Sequence, residues 1–590
     1  MYKKQSSLFM LIILVTGALS AQEHPMQEKL LINHVGYPEN GEKKVIFQTQ
    51  DQTIPKIFII IDDNKKEVLK GTFIKGDKID NWHTGKAYIG YFNELKQPGK
   101  YKITTHFNGK IFESTVFEIK QKNILKKALP LMLSGLQSQH PEQKVKDRDS
   151  NIPFYGSRKD SVDVHGGWYD ASGDHGKYLS HLAYSNYLTP QQTPLLVYNL
   201  FTSAAYIEND NKTLANELVK EALYGADFLV RMQDKDGYFY TNIFDNWAGD
   251  PGKRYICAFE GLAGTKTENY QAAFREGGGI TIAALAKLSS SSVSGEFSSA
   301  KYLETAEKGF AHLLKNNLKY CDNGEENIID DYCALMAASE LYIVTDKKEY
   351  LEHAQYRAAN LINRLSSDSK YSGWFRADKD GVRSYYHAVE AGYPIIALCK
   401  YLDIEKDKKR RNNTIKTIQK TIDFELTITN EVYNPFGYPR QYIKATNEEN
   451  KRSAFFMPHH NETGYWYQGE NARIASIAAA FNIAKPYIKP DQKPRINIFV
   501  RNQINWILGL NPYDVCMLDG LGHNNPKYID QYNRNYHGGI SNGITAGVDD
   551  ESDIAYLPKE YKDDLAMNWR WPEQWIPHVG WFMLAITSTK

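Results

Sequence analysis

The chain of 590 residues changes its hydrophobic rhythm once, near residue 120. Between about residues 28 and 120, the runs "KLLINHVGY", "KKVIFQTQ", "KIFIIIDD", "KAYIGYF", "GKYKITTHF" and "STVFEI" are rich in β-branched and aromatic side chains. The separators "PENGE", "DDNKK" and "KQPG" carry turn residues, so the segment reads as a series of short strands. Strands at this spacing predict a β-sandwich, here over residues 25–120. Nothing in the segment assembles a chemical site, and it reads as a support module.

From residue 122 to 590 the period lengthens. In "YLETAEKGFAHLLKN", Leu303, Ala306, Phe310, Leu313 and Leu314 fall on one face at helical spacing. "TLANELVKEALYGADFLVRM" does the same through Leu214, Leu218, Ala222 and Ala226, and "DYCALMAASELYIV" and "ENARIASIAAAFNIA" continue the pattern. Long loops rich in Gly, Trp and Tyr separate these helices. Such a series suits an α/α toroid whose loops build a cleft at one end, although periodicity alone equally allows an irregular helical domain. The length exceeds what one core usually serves, and two domains fit it. With no Pro/Ser linker between them, the two parts are expected to pack directly on each other.

Charge narrows the function. Lys plus Arg number 71 against 70 Asp plus Glu, a net charge of +1, which argues against nucleic acid or an anionic membrane as partner. The 40 Tyr and 10 Trp point elsewhere, because aromatic faces stack on the apolar faces of sugar rings. The opening "MYKKQSSLFMLIILVTGALSAQ" reads as a secretory signal over residues 1–21, with Lys3 and Lys4, an apolar run from Leu8 to Val15, and small residues at Ala18, Ser20 and Ala21. That run is too short to span a bilayer, and no later segment is apolar enough. An exported protein, periplasmic or extracellular, is expected. The five cysteines show neither CxxC pairs nor zinc-ligand spacing, and isolated buried thiols are expected. Cys321 and Cys333 form the nearest pair should a disulfide exist.

Three stretches carry candidate chemistry. "VHGGWYDASGDHGKYLS" places Asp170 and Asp174 on a glycine-rich turn behind Trp168 and Tyr169. Such a turn commonly means only a loop, but paired acids beside aromatics also suit sugar cleavage. "AMNWRWPEQWIPHVGWFMLAI" sets Glu573 among Trp569, Trp571, Trp575 and Trp581, with His578 close by. Aromatic surroundings exclude water and hold a proton on a carboxyl, as a general acid needs; an aromatic core beside a surface Glu is the competing reading. Inverting glycosidases use one carboxyl to protonate the leaving oxygen and another to activate water. Asp170 and Asp174 holding the water and Glu573 donating would meet that need. In the third stretch, "MPHHNETGYWYQGENARIAS", residues His459, His460, Tyr465, Trp466, Glu470 and Arg473 concentrate stacking and hydrogen-bonding groups, expected to bind sugar. Adjacent histidines rarely reach one ion, so no metal is assigned there; Glu470 or Asn471 as a helix cap is the alternative. The acidic run "DNGEENIIDD" lacks the spacing of a calcium loop and reads as a solvated turn.

At this point a family resemblance becomes specific. "GGWYDASGDHGKY" resembles the GGWYDAGDxxKY signature of glycoside hydrolase family nine. "FREGGGITIAALAKLS", "EAGYPIIALCKYLDIE", "WILGLNPYDVCMLDGLG" and "PEQWIPHVGWF" are similar to its later motifs, in the same order. "LLINHVGYPENGEKKVIF" resembles the immunoglobulin-like domain that precedes many of its catalytic domains. The resemblance implies an (α/α)6 barrel and inverting hydrolysis of β-linked, mainly β-1,4-glucosidic, bonds. It makes Asp174 the general base, Asp170 its partner in holding water, and Glu573 the general acid. It implies no cofactor for the chemistry, though some members bind structural calcium.

Three departures stand out. Ser172 widens the acid spacing of the family's DAGD from three to four. Tyr528 falls where many members have the first His of a His-x-His-His-Arg run, with Arg534 the nearest cation. "LPKEYKDDLAMNWRWP" is inserted after Tyr556, before the acid. The enlarged loop and "GYWYQGENAR" favour exo-action on oligosaccharides over endo-action on polymer. A uronate lyase would need clustered cations, and here they are spread out. A sugar-binding protein that has lost catalysis conflicts with retention of all three acids.

Overall fold

The strand Lys44–Thr49 is buried along its whole length, which only a strand covered on both faces can be. Its alternation divides the labour: Val45 and Phe47 join Phe58, Ile60, Ile103 and Phe117 inside a sandwich, while Ile46 turns the other way with Ile79, Trp82 and Ile89. We describe residues 28–589 of a computed structural model, except residues 75, 182, 262, 465–467 and 529–533. The expected signal segment, 1–21, lies outside the described residues.

One antiparallel sheet runs in the order Lys29–Leu31, Lys44–Thr49, Lys86–Tyr91, Asp77–Lys78. The other runs Gly36–Tyr37, Phe117–Ile119, Gly99–Phe107, Ile57–Asp62, Glu67–Thr72, with Lys110–Glu113 also on Gly99–Phe107. Every apolar run read from the sequence contains a strand, and "KLLINHVGY" divides between the two sheets. Glu67–Thr72 and Lys110–Glu113 escaped that reading because they are largely exposed and charged, held by ladder bonds to their neighbours.

The outer face of the first sheet packs directly on the helical part. Lys44 Nζ donates to Pro435 O at 2.7 Å, Gln48 Nε2 to Pro512 O at 3.1 Å, and Tyr433 OH to Ala87 O at 2.6 Å. The Trp82 ring lies 4.8 Å from Phe455 and 6.3 Å from Trp506, centroid to centroid.

Among the described residues thirteen α-helices follow: α1 Asn123–Gln137, α2 Gln143–Asp149, α3 Thr193–Ile207, α4 Lys212–Arg231, α5 Gly279–Leu288, α6 Ser299–Tyr320 and α7 Ile328–Thr345. After them come α8 Lys348–Asn363, α9 Tyr393–Ile404, α10 Lys408–Asn430, α11 Asn471–Ala484, α12 Lys493–Ile507 and α13 Ile576–Thr587. Helices α3, α5, α7, α9, α11 and α13 are buried nearly all round, and each packs on the next, with α13 meeting α3. Helices α4, α6, α8, α10 and α12 lie outside, each on the inner helix before it, and α1 covers α13. Their local starts are encoded. Asn211 and Ser298 cap α4 and α6, and prolines 194, 394, 494 and 577 sit in first turns. Small residues permit the inner contacts: a Cβ on Gly392 would come within 2.2 Å of Ser476 O.

The amphipathic reading needs three corrections. Helices α7 and α11 have no solvent face. In α6 the buried face includes Tyr302, Gly309 and Leu313, whereas Leu314 is 43% exposed. The run 322–331 is not simply a solvated turn. Asn327 forms a capping box with Asp330, and Asp330 and Asp331 lie buried in the first turn of α7. Arg275 meets Asp330 at 3.4 Å, and Arg364 meets Asp331 at 2.7 Å; those partners come from other elements, invisible in the local sequence. All five cysteines are buried free thiols. Among the described residues, no helix is long and apolar enough to cross a membrane.

Trp82 joins the two parts. Trp82→Ala should lower the unfolding free energy by about 3–5 kcal/mol, read as a shift in the urea midpoint. An unchanged midpoint would show that the seam contributes little to stability.

Candidate active site

The turn bearing Asp170 and Asp174 needs its glycines. Gly173 has φ of +85°, open to glycine without strain, and a Cβ there would come within 2.2 Å of Arg534. Asp174 N–H donates to Ala171 O at 3.1 Å and Asp170 N–H to Gly176 O at 3.0 Å, closing the turn. Glu573 comes from the segment just before α13. That segment lies against the turn: Ile576 N–H donates to Asp170 O at 3.1 Å, and Ala171 bridges Trp575. Residues far apart in sequence thus line one cavity of about 330 Å³, with Asp170, Asp174 and Glu573 in its wall.

Burial sets the electrostatics. Asp170 accepts from Trp575 Nε1 at 2.8 Å, and His181 Nδ1 lies 3.2 Å from the same oxygen. Loss of water raises its pKa well above the ordinary carboxylate range. Asp174 accepts from Gly176 N at 2.7 Å and Tyr178 OH at 2.9 Å. Burial, then the charge of Asp170, brings it up to about 6. Glu573 goes further: burial, then the charges of Asp174 and Asp170, push it to about 8 against the pull of Asn542 and Arg534. Asn542 Nδ2 donates to Glu573 at 3.2 Å, while Asn542 Oδ1 lies 2.8 Å from His578 Nε2. Burial depresses the pKa of His578 to about 3, so the neutral ring donates to Asn542 and aims its NH₂ at Glu573. Burial likewise holds His181 neutral, at about 4.

The structure gathers Tyr528, Arg534, Trp569 and Trp575 into the same cavity wall, with Arg534 5.8 Å from the Tyr528 ring. Other residues expected to touch sugar sit elsewhere. Trp168 is fully buried, its indole N–H spent on Glu221 at 2.6 Å. Tyr169 donates its hydroxyl to Glu142 and presents its ring to His175. Trp571 is core, bonded to Thr545 Oγ1 at 3.1 Å. His459 and His460 line none of this cavity; His459 bonds Glu551 through its backbone N–H, and His460 is exposed. Tyr465 and Trp466 lie outside the described residues.

Glu470 and Arg473 form a buried ion pair that braces the loop, and neither lines this cavity. Glu470 also accepts from Met457 N at 2.8 Å, and Arg473 donates to Pro439 O at 3.1 Å. Neither candidate caps α11 by its side chain; Asn471 Nδ2 donates instead to Ser541 O at 2.7 Å. His181, Trp247, Phe259, Gln468 and Leu565 line the cavity without having been singled out. Trp247 is 41% exposed in the loop "FDNWAGD", and a lone tryptophan in a polar turn was the available signal.

His34, Asp514 and His523 bring together three groups of metal-ligand type at the seam between sandwich and helices. His34 Nδ1 accepts from His523 N–H at 3.3 Å, which leaves its Nε2 proton for Asp514 at 2.9 Å. The two rings stack 3.5 Å apart at 14°. Imidazole lone pairs lie in the ring plane, so rings this nearly parallel cannot both aim at one ion.

Buried carboxyls of raised pKa in an aromatic-walled cleft are what a glycoside hydrolase requires of its site. The sequence profile of Glycosyl hydrolase family 9 matches residues 126–553, and that of the Cellulase N-terminal ig-like domain matches residues 26–110. The chain belongs to glycosyl hydrolase family 9. It is 23% identical over 579 residues to a protein of Butyrivibrio fibrisolvens named Cellodextrinase, covering 89% of this chain and 92% of that one. A solved structure titled "Bacteroides ovatus GH9" superposes with a TM-score of 0.65 at 19% identity, over 95% of this chain and 98% of the other. A metagenome-derived glycoside hydrolase family 9 endoglucanase gives 0.67 at 17% identity, over 95% and 99%. Both show a shared fold. Glu573 lies beyond the matched segment 126–553, and the fold brings it into one cavity wall with the two aspartates.

A carboxyl whose pKa is raised by folding stabilises the fold while protonated and loses that contribution as pH climbs through the folded value. Glu573 rises from an ordinary 4.5 to about 8. Glu573→Gln should therefore melt at a higher temperature than the parent at pH 8 and above, the gap closing towards pH 4. A constant gap across the thermal-melt series would contradict the raised pKa of Glu573.

Proposed function

We propose that this chain is an inverting, exo-acting glycoside hydrolase that cleaves β-1,4-glucosidic bonds in glucan-derived oligosaccharides. The supporting observation is the split in acidity within one cleft: Asp174 at about 6 and Glu573 at about 8. Near neutral pH the first is mostly charged and the second mostly protonated, the states needed in a base and an acid. Asp174 would take a proton from water as that water attacks the anomeric carbon, with Asp170 holding the water beside it. Glu573 would give its proton to the departing oxygen as the glycosidic bond breaks. Single displacement inverts the anomeric centre. As proposed, the chemistry needs no cofactor.

The succession of inner contacts from α3 to α13 and back supports an (α/α)6 barrel over residues 122–590, with the sandwich over 25–120. The composition of the cleft wall supports exo-action. Leu565 and Trp569 belong to the segment inserted after Tyr556, and Gln468 comes from the bulky loop before α11. Walls on that side favour a chain terminus over a polymer crossing the cleft, consistent with the name of the Butyrivibrio relative. Export to the periplasm or beyond agrees with the leader-like N-terminal segment.

On cello-oligosaccharides, kcat/KM should be bell-shaped, rising through about pH 6 as Asp174 ionises and falling through about pH 8 as Glu573 does. Asp174→Asn should abolish turnover while oligosaccharide binding persists. Glu573→Gln should lose a factor of about 10²–10⁴ on these substrates and less on activated aryl glycosides. Equal loss on both substrate types would remove Glu573 from the acid role. NMR of fresh product should show inversion; retention would overturn single displacement.

Viscosity and reducing ends, followed together on a soluble β-glucan, test the mode of attack. Exo-action predicts reducing sugar with little fall in viscosity. A steep early fall would establish internal cutting.

A further inference from the structure

Ser172 is the extra residue that separates Asp170 and Asp174 by four positions. It is buried and hydrogen-bonded in three directions. Its N–H donates to Gln574 O at 2.8 Å, and its Oγ accepts from Gln574 N–H at 2.8 Å. The hydroxyl donates in turn to Asn535 Oδ1 at 3.3 Å. Asn535 Nδ2 donates to Pro526 O and to Pro572 O, both at 3.0 Å. Gln574 is the neighbour of Glu573, and Pro572 stands on its other side. The segment holding Asn535 also carries Tyr528 and Arg534 of the cleft wall. Three separate pieces of chain therefore meet at one hydroxyl.

We propose that Ser172 is a positioning residue that fixes the separation between Glu573 and Asp174. The inference rests on the acid and base roles given above. Inversion requires the two carboxyls far enough apart to admit a water, roughly 6.5–9.5 Å, and held there. Lengthening a turn by one residue would ordinarily loosen that distance. Here the added residue supplies both halves of a backbone-like pair with Gln574. The serine hydroxyl stands in for a carbonyl, as the acceptor a strand neighbour would have offered. A bystander serine in a turn would bond within its own loop, whereas each of these bonds leaves the turn.

The groups facing Glu573 are Asp170, Asp174, Asn542 and Arg534, with neutral His578 behind Asn542. Moving Glu573 away from the two aspartates would weaken like-charge repulsion and let it ionise at lower pH. Ser172→Ala should thus lower kcat by about tenfold to a hundredfold, the effect of a misplacement near 1 Å. KM for cello-oligosaccharides should change less than kcat, because the Ser172 hydroxyl, although at the cavity wall, is committed to Gln574 and Asn535. The alkaline limb of kcat should move to lower pH. Ser172→Thr, which keeps the hydroxyl, should restore both. Should Ser172→Ala fail to fold, Ser172→Cys keeps the volume with a weaker acceptor and should show the same shifts in smaller measure.

A folded Ser172→Ala or Ser172→Cys enzyme with unchanged kcat and alkaline limb would overturn the proposal, as would a loss confined to KM. Asp174→Asn and Glu573→Gln separate the two levels of failure. If those are inactive and Ser172→Ala is normal, only the positioning role falls; if they are active, the acid and base roles fall first.

Discussion

Burial of carboxyl groups against neutral donors is the constraint on which this site depends. At several other positions the fold buries acids beside cations, although Glu390, held by Tyr332 and Gln191, shows that the neutral pattern is not confined to the cleft. Asp149 sits between Lys177 at 2.6 Å and Arg254 at 2.8 Å, and although burial alone would push its pKa up, those two charges bring it below the ordinary value. Asp331 has Arg357 and Arg364, and Glu470 has Arg473. In the cleft the partners are an indole N–H, a phenol, a peptide N–H and an amide. Neutral partners orient a carboxyl without cancelling the cost of its charge, so the proton stays on longer. The same residue types thus serve as braces in one place and as titrating groups in another. The companion decides which.

The helical scaffold makes that environment available. Six inner helices, buried nearly all round, form the floor beneath the cleft, and the outer helices cover their flanks. The sandwich adds to the burial from one flank, where Trp82 and the outward face of Lys44–Thr49 merge with the helical core. A buried His578 turns the amide of Asn542 towards the acid, and a half-buried His181 faces Asp170 from the cavity wall, so even the histidines work as neutral parts.

Much of the fold was legible in sequence because periodicity records which face is buried. The strands and the amphipathic outer helices show that directly. What periodicity missed has physical reasons. Glu67–Thr72 is a largely exposed edge strand whose order comes from ladder bonds rather than from side chains. Helices α7 and α11 are buried all round, so their patterns could not reveal a solvent face. The three cleft acids were legible because glycine and tryptophan set their surroundings locally. The aromatic and basic neighbours were harder. Trp168 and Trp571 look the same in sequence as Trp575, yet the first two fill core and only the last meets an acid of the cleft. Glu470 and Arg473 read as ligand groups although their separation by three allows an ion pair at a helix start; that the pair is buried comes from tertiary packing. His181 and Trp247 reach the cleft through tertiary placement alone.

The bond from Trp575 to Asp170 spans 405 residues of chain. Closing so long a loop is entropically costly, and contacts of this range form late. During synthesis at roughly 5–20 residues per second, the aspartate turn emerges tens of seconds before the glutamate that faces it. Through that interval Asp170 and Asp174 have water instead of each other and the indole as surroundings, and they behave as ordinary carboxylates. Their altered acidity is therefore acquired with the arrival of α13. A nascent chain halted anywhere before that helix carries the whole aspartate motif and no catalytic chemistry.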